Sequence, residues 1–298
     1  MNLSLLIKFL DQHNIEYQEN GKTNRIVSFR IGGKAKIIVF PETTEHLVKI
    51  LNFIKEEKHI VLGNGTNCFF SDSFYDGIVI VTSKISKVLC ENNFIVAQTG
   101  ACCGEICALA LEKSLTGLEF AFGIPGTVGG CVTMNASAYE HSFSQIVSEC
   151  EAFDYETGKI IKLSNKECCF FKKKSVFSSK KLCLLSASLK LEIGDKKSIL
   201  EKMQNYLNRR KKSQPLDKPS AGSTFIRPKT GYASQLIDKC GLKGYSIGGA
   251  QVSKKHAGFI INTGGATSKD VIDLIEFVKN RVYDTFGVML KEEIIYIE

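Results

Sequence analysis

The sequence predicts a mixed α+β fold, and three observations carry that prediction. Helical and strand periodicities alternate through the first third, short β-branched runs fill residues 148–191, and a helix–strand–long helix–strand unit closes the chain. A composition shift over residues 195–215, where a Lys-rich stretch ends near Pro215, marks the best domain boundary.

Residues 1–20 set Leu3, Leu6, Ile7 and Leu10 at helical spacing, with Lys8 and Asp11 between them. That pattern reads as an amphipathic surface helix and not a signal peptide. Residues 44–57 put Leu47, Ile50, Leu51 and Ile54 on one helical face, with Thr44 as the cap. Strands are expected at 60–62 and 77–81, and a helix at 104–114. A Lys-rich helix follows at 195–212, then a helix near 232–239 and a strand at 257–261. A long helix at 268–286, beginning after Ser268, and a strand at 294–297 complete the chain. Residues 120–139 carry no charge, but Gly123, Pro125, Gly126, Gly129 and Gly130 break any membrane-spanning helix there.

At 298 residues, with 44% hydrophobic and 23% charged residues, the chain is long enough for two or three domains and is neither disordered nor fibrous. Lys and Arg exceed Asp and Glu by 8, and the excess sits in two stretches, 166–181 and 201–220. Local basic patches suit a compact phosphorylated ligand, whereas a nucleic-acid surface is basic across a whole domain with aromatics interleaved. The 11 Cys include no CxxC pair and the 5 His are scattered, so no metal site is expected and the thiols read as reduced and cytosolic.

Two glycine-rich segments carry the chemistry. Gly63-Asn64-Gly65-Thr66-Asn67 follows the apolar 60–62 run, and glycines there let successive backbone N–H groups approach a phosphate. It lacks the dinucleotide fingerprint, because Cys68 stands where a third glycine belongs and no helical pattern follows; a plain tight turn is the competing reading. The second segment holds four glycines in residues 123–130 (Gly123, Ile124, Pro125, Gly126, then Gly129 and Gly130). Ordering it is costly in chain entropy, which favours a ligand pressed against the main chain over a simple bend. Ser223, in a third glycine-bearing stretch, reads on its own as a turn or capping serine.

Six motifs in order, SFRIGG (28–33), VLGNGTN (61–67), GLEFAFGIPGTVGG (117–130), MNASAY (134–139), PSAGSTF (219–225) and GGAQVSKKHAGFIIN (248–262), resemble the UDP-N-acetylenolpyruvoylglucosamine reductases, also called UDP-N-acetylmuramate dehydrogenases. The resemblance runs from about residue 25 to the C-terminus and is closest to the shorter type, which lacks an extra substrate loop. It implies a two-subdomain FAD-binding fold of the vanillyl-alcohol-oxidase type plus a C-terminal α+β substrate-binding domain. The implied divisions are 1–82 and 83–198 for the flavin subdomains and 199–287 for the substrate domain, with 288–298 returning to the first. It further implies non-covalent FAD, NADPH as reductant, UDP-N-acetylglucosamine enolpyruvate as substrate, a role in peptidoglycan precursor synthesis, and a cytoplasmic enzyme without nucleic-acid or membrane partners.

The same resemblance assigns roles. Residues 61–67 and 123–130 become the pyrophosphate and isoalloxazine cradles, with Arg30 beside the nucleotide portion and Asn135 and Tyr139 facing flavin or substrate. Ser223 matches the proton donor. Glu293 matches the glutamate that polarises the substrate carboxylate, which needs a protonated carboxyl in a buried pocket; Glu292 competes for that assignment. Arg209, Arg210 and Lys211 would neutralise the diphosphate, and Gln251 and Asn262 would line the substrate pocket. Two positions depart from the family pattern. Lys173 stands where arginine grips the enolpyruvyl carboxylate, keeping the charge but losing the planar fork, with Lys172 or Lys174 able to share the task. Ser137 replaces a usual glycine, which bears on the backbone there. The alternatives are a catalytically weak or non-catalytic flavin-binding relative, motivated by Lys173, and a related flavin-dependent sugar or alcohol oxidase.

Overall fold

The structure, a computed structural model, describes residues 2–55, 57–179 and 181–298. Met1, Glu56 (in the helix expected over 44–57) and Lys180 (in the basic stretch 166–181) lie outside the described residues. Two compact units emerge. One comprises Met1–Glu19, Ile37–Asn64 and Gly77–Asn208, the other Asn20–Lys36, Gly65–Asp76 and Arg209–Glu298.

In the first unit, α1 (Leu3–Gln12) starts on Asn2, whose side-chain oxygen accepts from the Ser4 N–H at 2.9 Å, and turns Leu6 and Leu10 inward. α2 (Thr44–Ile54) buries Leu47, Ile50, Leu51 and Ile54, the face that its spacing predicts. Its cap is Thr43 and not Thr44: Thr43 has the extended backbone that lets Oγ1 accept from the His46 N–H at 3.1 Å. Both helices pack on Ile37, Val39, Ile78 and Ile80. These residues belong to a sheet ordered Glu16–Lys22, Lys34–Phe40, Tyr75–Val81, His59–Leu62. Burial of the four α2 side chains contributes roughly 6–12 kcal/mol at about 1.5–3 kcal/mol each, before chain entropy.

An antiparallel sheet of order Lys159–Ser164, Val147–Asp154, Leu182–Lys190, Phe94–Gln98, Val88–Glu91 forms the rest of this unit. α3 (Cys103–Glu112) and the short α4 (Val128–Thr133) supply Cys103, Ile106, Cys107, Val128 and Val132 to its core. α5 (Lys196–Ser213) adds Ile199 and Met203, while its lysines and Arg209 are exposed and Arg210 is half-buried.

The second unit is built on an antiparallel sheet ordered Ser220–Ser223, Phe259–Asn262, Ala250–Val252, Ser246–Ile247. It carries α6 (Ala233–Lys239) and α7 (Ser268–Phe286). α7 sets Val271, Leu274, Ile275, Val278 and Val282 into the core. The helix spans the 268–286 that its pattern predicts, and its cap is Thr267 and not Ser268. Thr267 Oγ1 accepts from the Asp270 N–H at 3.1 Å and the Asp270 carboxylate accepts from the Thr267 N–H at 3.0 Å. That backbone bond is the main reason the Asp270 carboxyl sits below the ordinary carboxylate range. Strand Ile295–Ile297 pairs in parallel with Cys68–Phe70, tying the end of the chain to its first quarter. All eleven cysteines are free thiols, and no described helix is long and apolar enough to cross a membrane.

Candidate active site

In the first unit the strand His59–Leu62 ends before Gly63, which lies against Thr127 so closely that a Cβ would clash with Thr127 Oγ1. Asn64 then donates through Nδ2 to the Pro125 carbonyl at 3.0 Å. The two glycine segments are therefore one surface at this point. Residues 126–129 are held from behind: Cys103 N–H donates to Gly126 O at 3.1 Å, Val128 N–H to Ala101 O and Gly129 N–H to Thr99 O, both at 2.8 Å. The front is different. Among the described residues the backbone N–H groups of Gly63, Asn64, Gly65, Thr66 and Asn67 have no protein acceptor, and neither do those of Gly123, Gly126 and Thr127. Main-chain donors left unmatched in this number need an outside acceptor. A dinucleotide pyrophosphate and the carbonyl edge of a flavin supply such acceptors, so the residues present fit FAD.

The lysine turn lies in the same unit. Phe171 and Lys174 exchange backbone hydrogen bonds at 2.9 and 3.2 Å, closing a two-residue turn over Lys172 and Lys173, and Lys173 takes a left-handed φ of 61°. Ser175 and Ser178 fix the turn's downstream arm, both hydroxyls donating to the Thr133 carbonyl at the end of α4 (2.8 and 3.1 Å). Tyr139 stacks on Tyr206 of α5, ring centroids 4.3 Å apart, and its hydroxyl donates to the Tyr206 carbonyl at 2.8 Å. The MNASAY stretch needs no glycine at Ser137. That residue is extended, and positive φ falls at Asn135, Tyr139 and Glu140 instead.

In the second unit Ser220 and Ser223 pair with Ile261 and Phe259, which leaves one extra residue between them. Gly222 absorbs this bulge at φ 78°, and its missing Cβ faces nearly open space. A bulge re-aims the side chain beside it. Thr224, 1% exposed, is locked on three sides: its N–H donates to Gly258 O, its Oγ1 accepts from the Ile260 N–H, and its carbonyl accepts from the Glu293 N–H at 2.8 Å. Ser223 thus stands one residue from the partner of Glu293. Its own hydroxyl has no hydrogen-bond partner among the described residues. Asn67 closes the group, donating through Nδ2 to Glu293 O at 3.0 Å and accepting through its backbone carbonyl from the Ile295 N–H at 2.9 Å. Glu292 is committed elsewhere, to Lys279 at 2.8 Å; burial raises its carboxyl, but that ammonium outweighs it and the carboxyl ends below its usual value. Glu293 is half-buried, less enclosed than the sequence reading expects.

Arg30 sits exposed at the tip of a turn at φ 58°, with no protein partner for its guanidinium among the described residues. The turn is tied to both neighbouring segments: Ser28 N–H donates to Gly65 O at 3.0 Å and Ser28 Oγ to Ser220 O at 2.7 Å. Three amide side chains expected to face ligands each have hydrogen-bond partners within the protein. Asn262 donates to Phe29 O and accepts from the Gly264 and Ala266 N–H groups, and Gln251 donates to Gly244 O and Ser246 Oγ. Asn135 bridges Ser144 and Phe171. On α5, Arg210 donates to Gln214 at 3.2 Å, and the Lys211 carbonyl accepts from the Lys255 ammonium. Sequence reasoning passed over Asn64, Asn67 and Ser28 as connecting struts, and nothing in their residue types signals that role.

Comparison with known proteins places the chain in a family. Residues 35–164 match the family described as FAD binding domain, and residues 214–297 match the UDP-N-acetylenolpyruvoylglucosamine reductase C-terminal domain. The chain is 45% identical over 277 residues to a UDP-N-acetylenolpyruvoylglucosamine reductase of Caldanaerobacter subterraneus subsp. tengcongensis, covering 92% of this chain and 91% of that one. It is 43% identical over 281 residues to the reductase of the same description from Clostridium botulinum (strain Eklund 17B / Type B), covering 94% and 92%. The crystal structure of UDP-N-acetylenolpyruvylglucosamine reductase from Thermus caldophilus superposes with a TM-score of 0.81 at 29% identity, covering 95% of this chain and 99% of that one. A berberine bridge enzyme variant superposes at 0.52 with 15% identity over 64% of this chain, a likeness of fold alone.

Proposed function

The chain belongs to the UDP-N-acetylenolpyruvoylglucosamine reductase family, and from that premise we propose that Ser223, Glu293 and Lys173 carry its reaction. The protein is an FAD-dependent oxidoreductase of peptidoglycan precursor synthesis. Its substrates are NADPH and UDP-N-acetylglucosamine enolpyruvate, taken in turn, and it works in the cytoplasm. Residues 1–82 and 83–198 hold the flavin and 199–287 the sugar nucleotide, with 288–298 returning to the first. The pairing of Ile295–Ile297 with Cys68–Phe70 supports that return.

FAD, when bound, would supply the hydride chemistry between NADPH and the terminal carbon of the enol ether. The protein's task is placement and charge. Unmatched N–H groups at 63–67 and 123–127 anchor the dinucleotide, and Arg30 sits toward its phosphates. As hydride arrives, negative charge builds in the substrate carboxylate, so the site needs a cation and a hydrogen-bond donor there. Lys173 supplies the cation, and Glu293 polarises the substrate carboxylate. Ser223 gives its proton to the carbon bearing the carboxylate. A serine hydroxyl is a weak acid, and it serves only because that carbon becomes strongly basic at the same moment. Arg209, Arg210 and Lys211 offset the diphosphate charge.

The observation that carries this reading is the Ser223 hydroxyl, unengaged by the fold and one residue from the backbone partner of Glu293. Ser223→Ala tests it. Flavin reduction by NADPH stays near the wild-type rate, while reoxidation by the enolpyruvyl sugar slows by about 10²–10⁴-fold. An equal fall in both half-reactions removes Ser223 from the role of proton donor.

A further inference from the structure

We infer that Asn135 is the positioning residue for the carboxylate grip, acting through the carbonyl of Phe171. The inference rests on the reading of Lys173 given above. Asn135 is 9% exposed, and its backbone is left-handed at φ 40°. Asparagine tolerates that conformation better than most residues. Both ends of its amide are engaged: Oδ1 accepts from the Ser144 N–H at 3.0 Å and Nδ2 donates to Phe171 O at 3.1 Å.

The Phe171 carbonyl is the one that closes the lysine turn by accepting from the Lys174 N–H at 3.2 Å. A carbonyl has two acceptor sites. The first sets the turn's internal shape. The second, taken by Asn135, fixes the turn against the end of α4. Ser144 directly follows the fully buried Phe143, so the other end of the amide is fastened to the core. Ser175 and Ser178 hold the downstream arm on Thr133, two residues before Asn135. Without the amide, the turn keeps its shape but loses its upstream tether.

This matters more for lysine than for arginine. A guanidinium defines its direction by its planar fork, whereas an ammonium on a flexible four-carbon stem takes its position from where its backbone is held. The Lys173 departure thus raises the demand on the tether, and Asn135 meets it.

A double-mutant cycle of Asn135→Gly and Lys173→Ala tests the inference, with Asn135→Asp as a second variant. Gly tolerates the positive φ. Asp keeps the acceptor for Ser144 while losing the donor to Phe171. Flavin content and the rate of flavin reduction by NADPH are measured beside KM and kcat for the enolpyruvyl sugar. Both single Asn135 variants raise KM by about tenfold, with flavin content and NADPH reduction within about twofold of wild type. In the Lys173→Ala background, Asn135→Gly adds less than about twofold, because the residue it positions is gone. An unchanged KM, an equal effect in both backgrounds, or loss of bound flavin overturns the inference. A wild-type KM in Lys173→Ala alone sinks the Lys173 reading itself, an outcome distinguishable from the others.

Discussion

Replacing Gly63 by alanine tests the flavin cradle at its tightest point. The new Cβ would clash severely with Thr127 Oγ1 and lie 2.9 Å from Cγ2 and 3.1 Å from Cβ of the same residue. Ordinary carbon contacts are about 3.5–4.0 Å, so relief requires movement of more than half an ångström. Thr127 is badly placed to yield. It is 2% exposed, its Oγ1 caps α4 by accepting from the Gly130 N–H, and both neighbours are bonded to residues 101–103. Residues 62–64 therefore move away, and the Asn64 to Pro125 bond at 3.0 Å is lost. Overpacking costs about 1–3 kcal/mol and the lost hydrogen bond about 0.5–1.5 kcal/mol. Together they weaken FAD binding by roughly tenfold to a thousandfold. Titration of the apoprotein with FAD, followed by flavin fluorescence, measures the change. Thr127→Ala removes the obstructing atoms at the cost of a cap, about 1 kcal/mol. The double variant accordingly binds FAD better than Gly63→Ala alone. Wild-type FAD affinity in Gly63→Ala, or strictly additive losses in the double variant, refutes the reasoning.

Lys173→Arg restores a planar fork on an unchanged left-handed backbone, and the KM for the enolpyruvyl sugar falls or stays level; an inactive variant in steady-state assays contradicts the register on which the residue was placed. At Glu293, Gln keeps a hydrogen-bond donor and Ala does not, so stopped-flow reoxidation is slower in Glu293→Ala than in Glu293→Gln, with NADPH reduction alike in both; equal rates argue against a donor role. Burial pushes the Cys68 and Cys183 thiols up to about 12 from an ordinary 9.0. A folded-state pKa above the unfolded value gives stability that is complete below about 9 and is lost as pH climbs toward 12. Urea midpoints should therefore hold from pH 7 to 8 and decline steadily above pH 9, and less steeply in Cys68→Ala.

Much of the fold is legible from the sequence because its long elements obey one period each. α2 and α7 show continuous apolar faces, and 60–62 and 77–81 are short apolar runs bounded by turn residues. Their caps are less legible. Thr43 and Thr44 are chemically equivalent in the sequence, and only the backbone decides which oxygen reaches an N–H. The pairing of residues 68–70 with 295–297 joins distant segments that no local pattern connects. At the site, the glycine segments are visible because glycine itself reports close approach. The hydrogen bonds of Asn135, Gln251 and Asn262 within the protein are silent in the sequence, because an amide side chain looks the same whether it faces a ligand or a carbonyl. The left-handed φ of Arg30 and Lys173 is equally silent in the sequence, since neither residue type advertises it.

The most direct measurement is the anaerobic absorption spectrum of the purified protein through both half-reactions. A flavin band near ~450 nm is bleached by NADPH and restored by the enolpyruvyl nucleotide sugar with no oxygen present. Run in deuterium oxide, the second step leaves one solvent deuterium on the carbon bearing the carboxylate. A band that oxygen restores but the sugar nucleotide does not, or product without that label, contradicts the account.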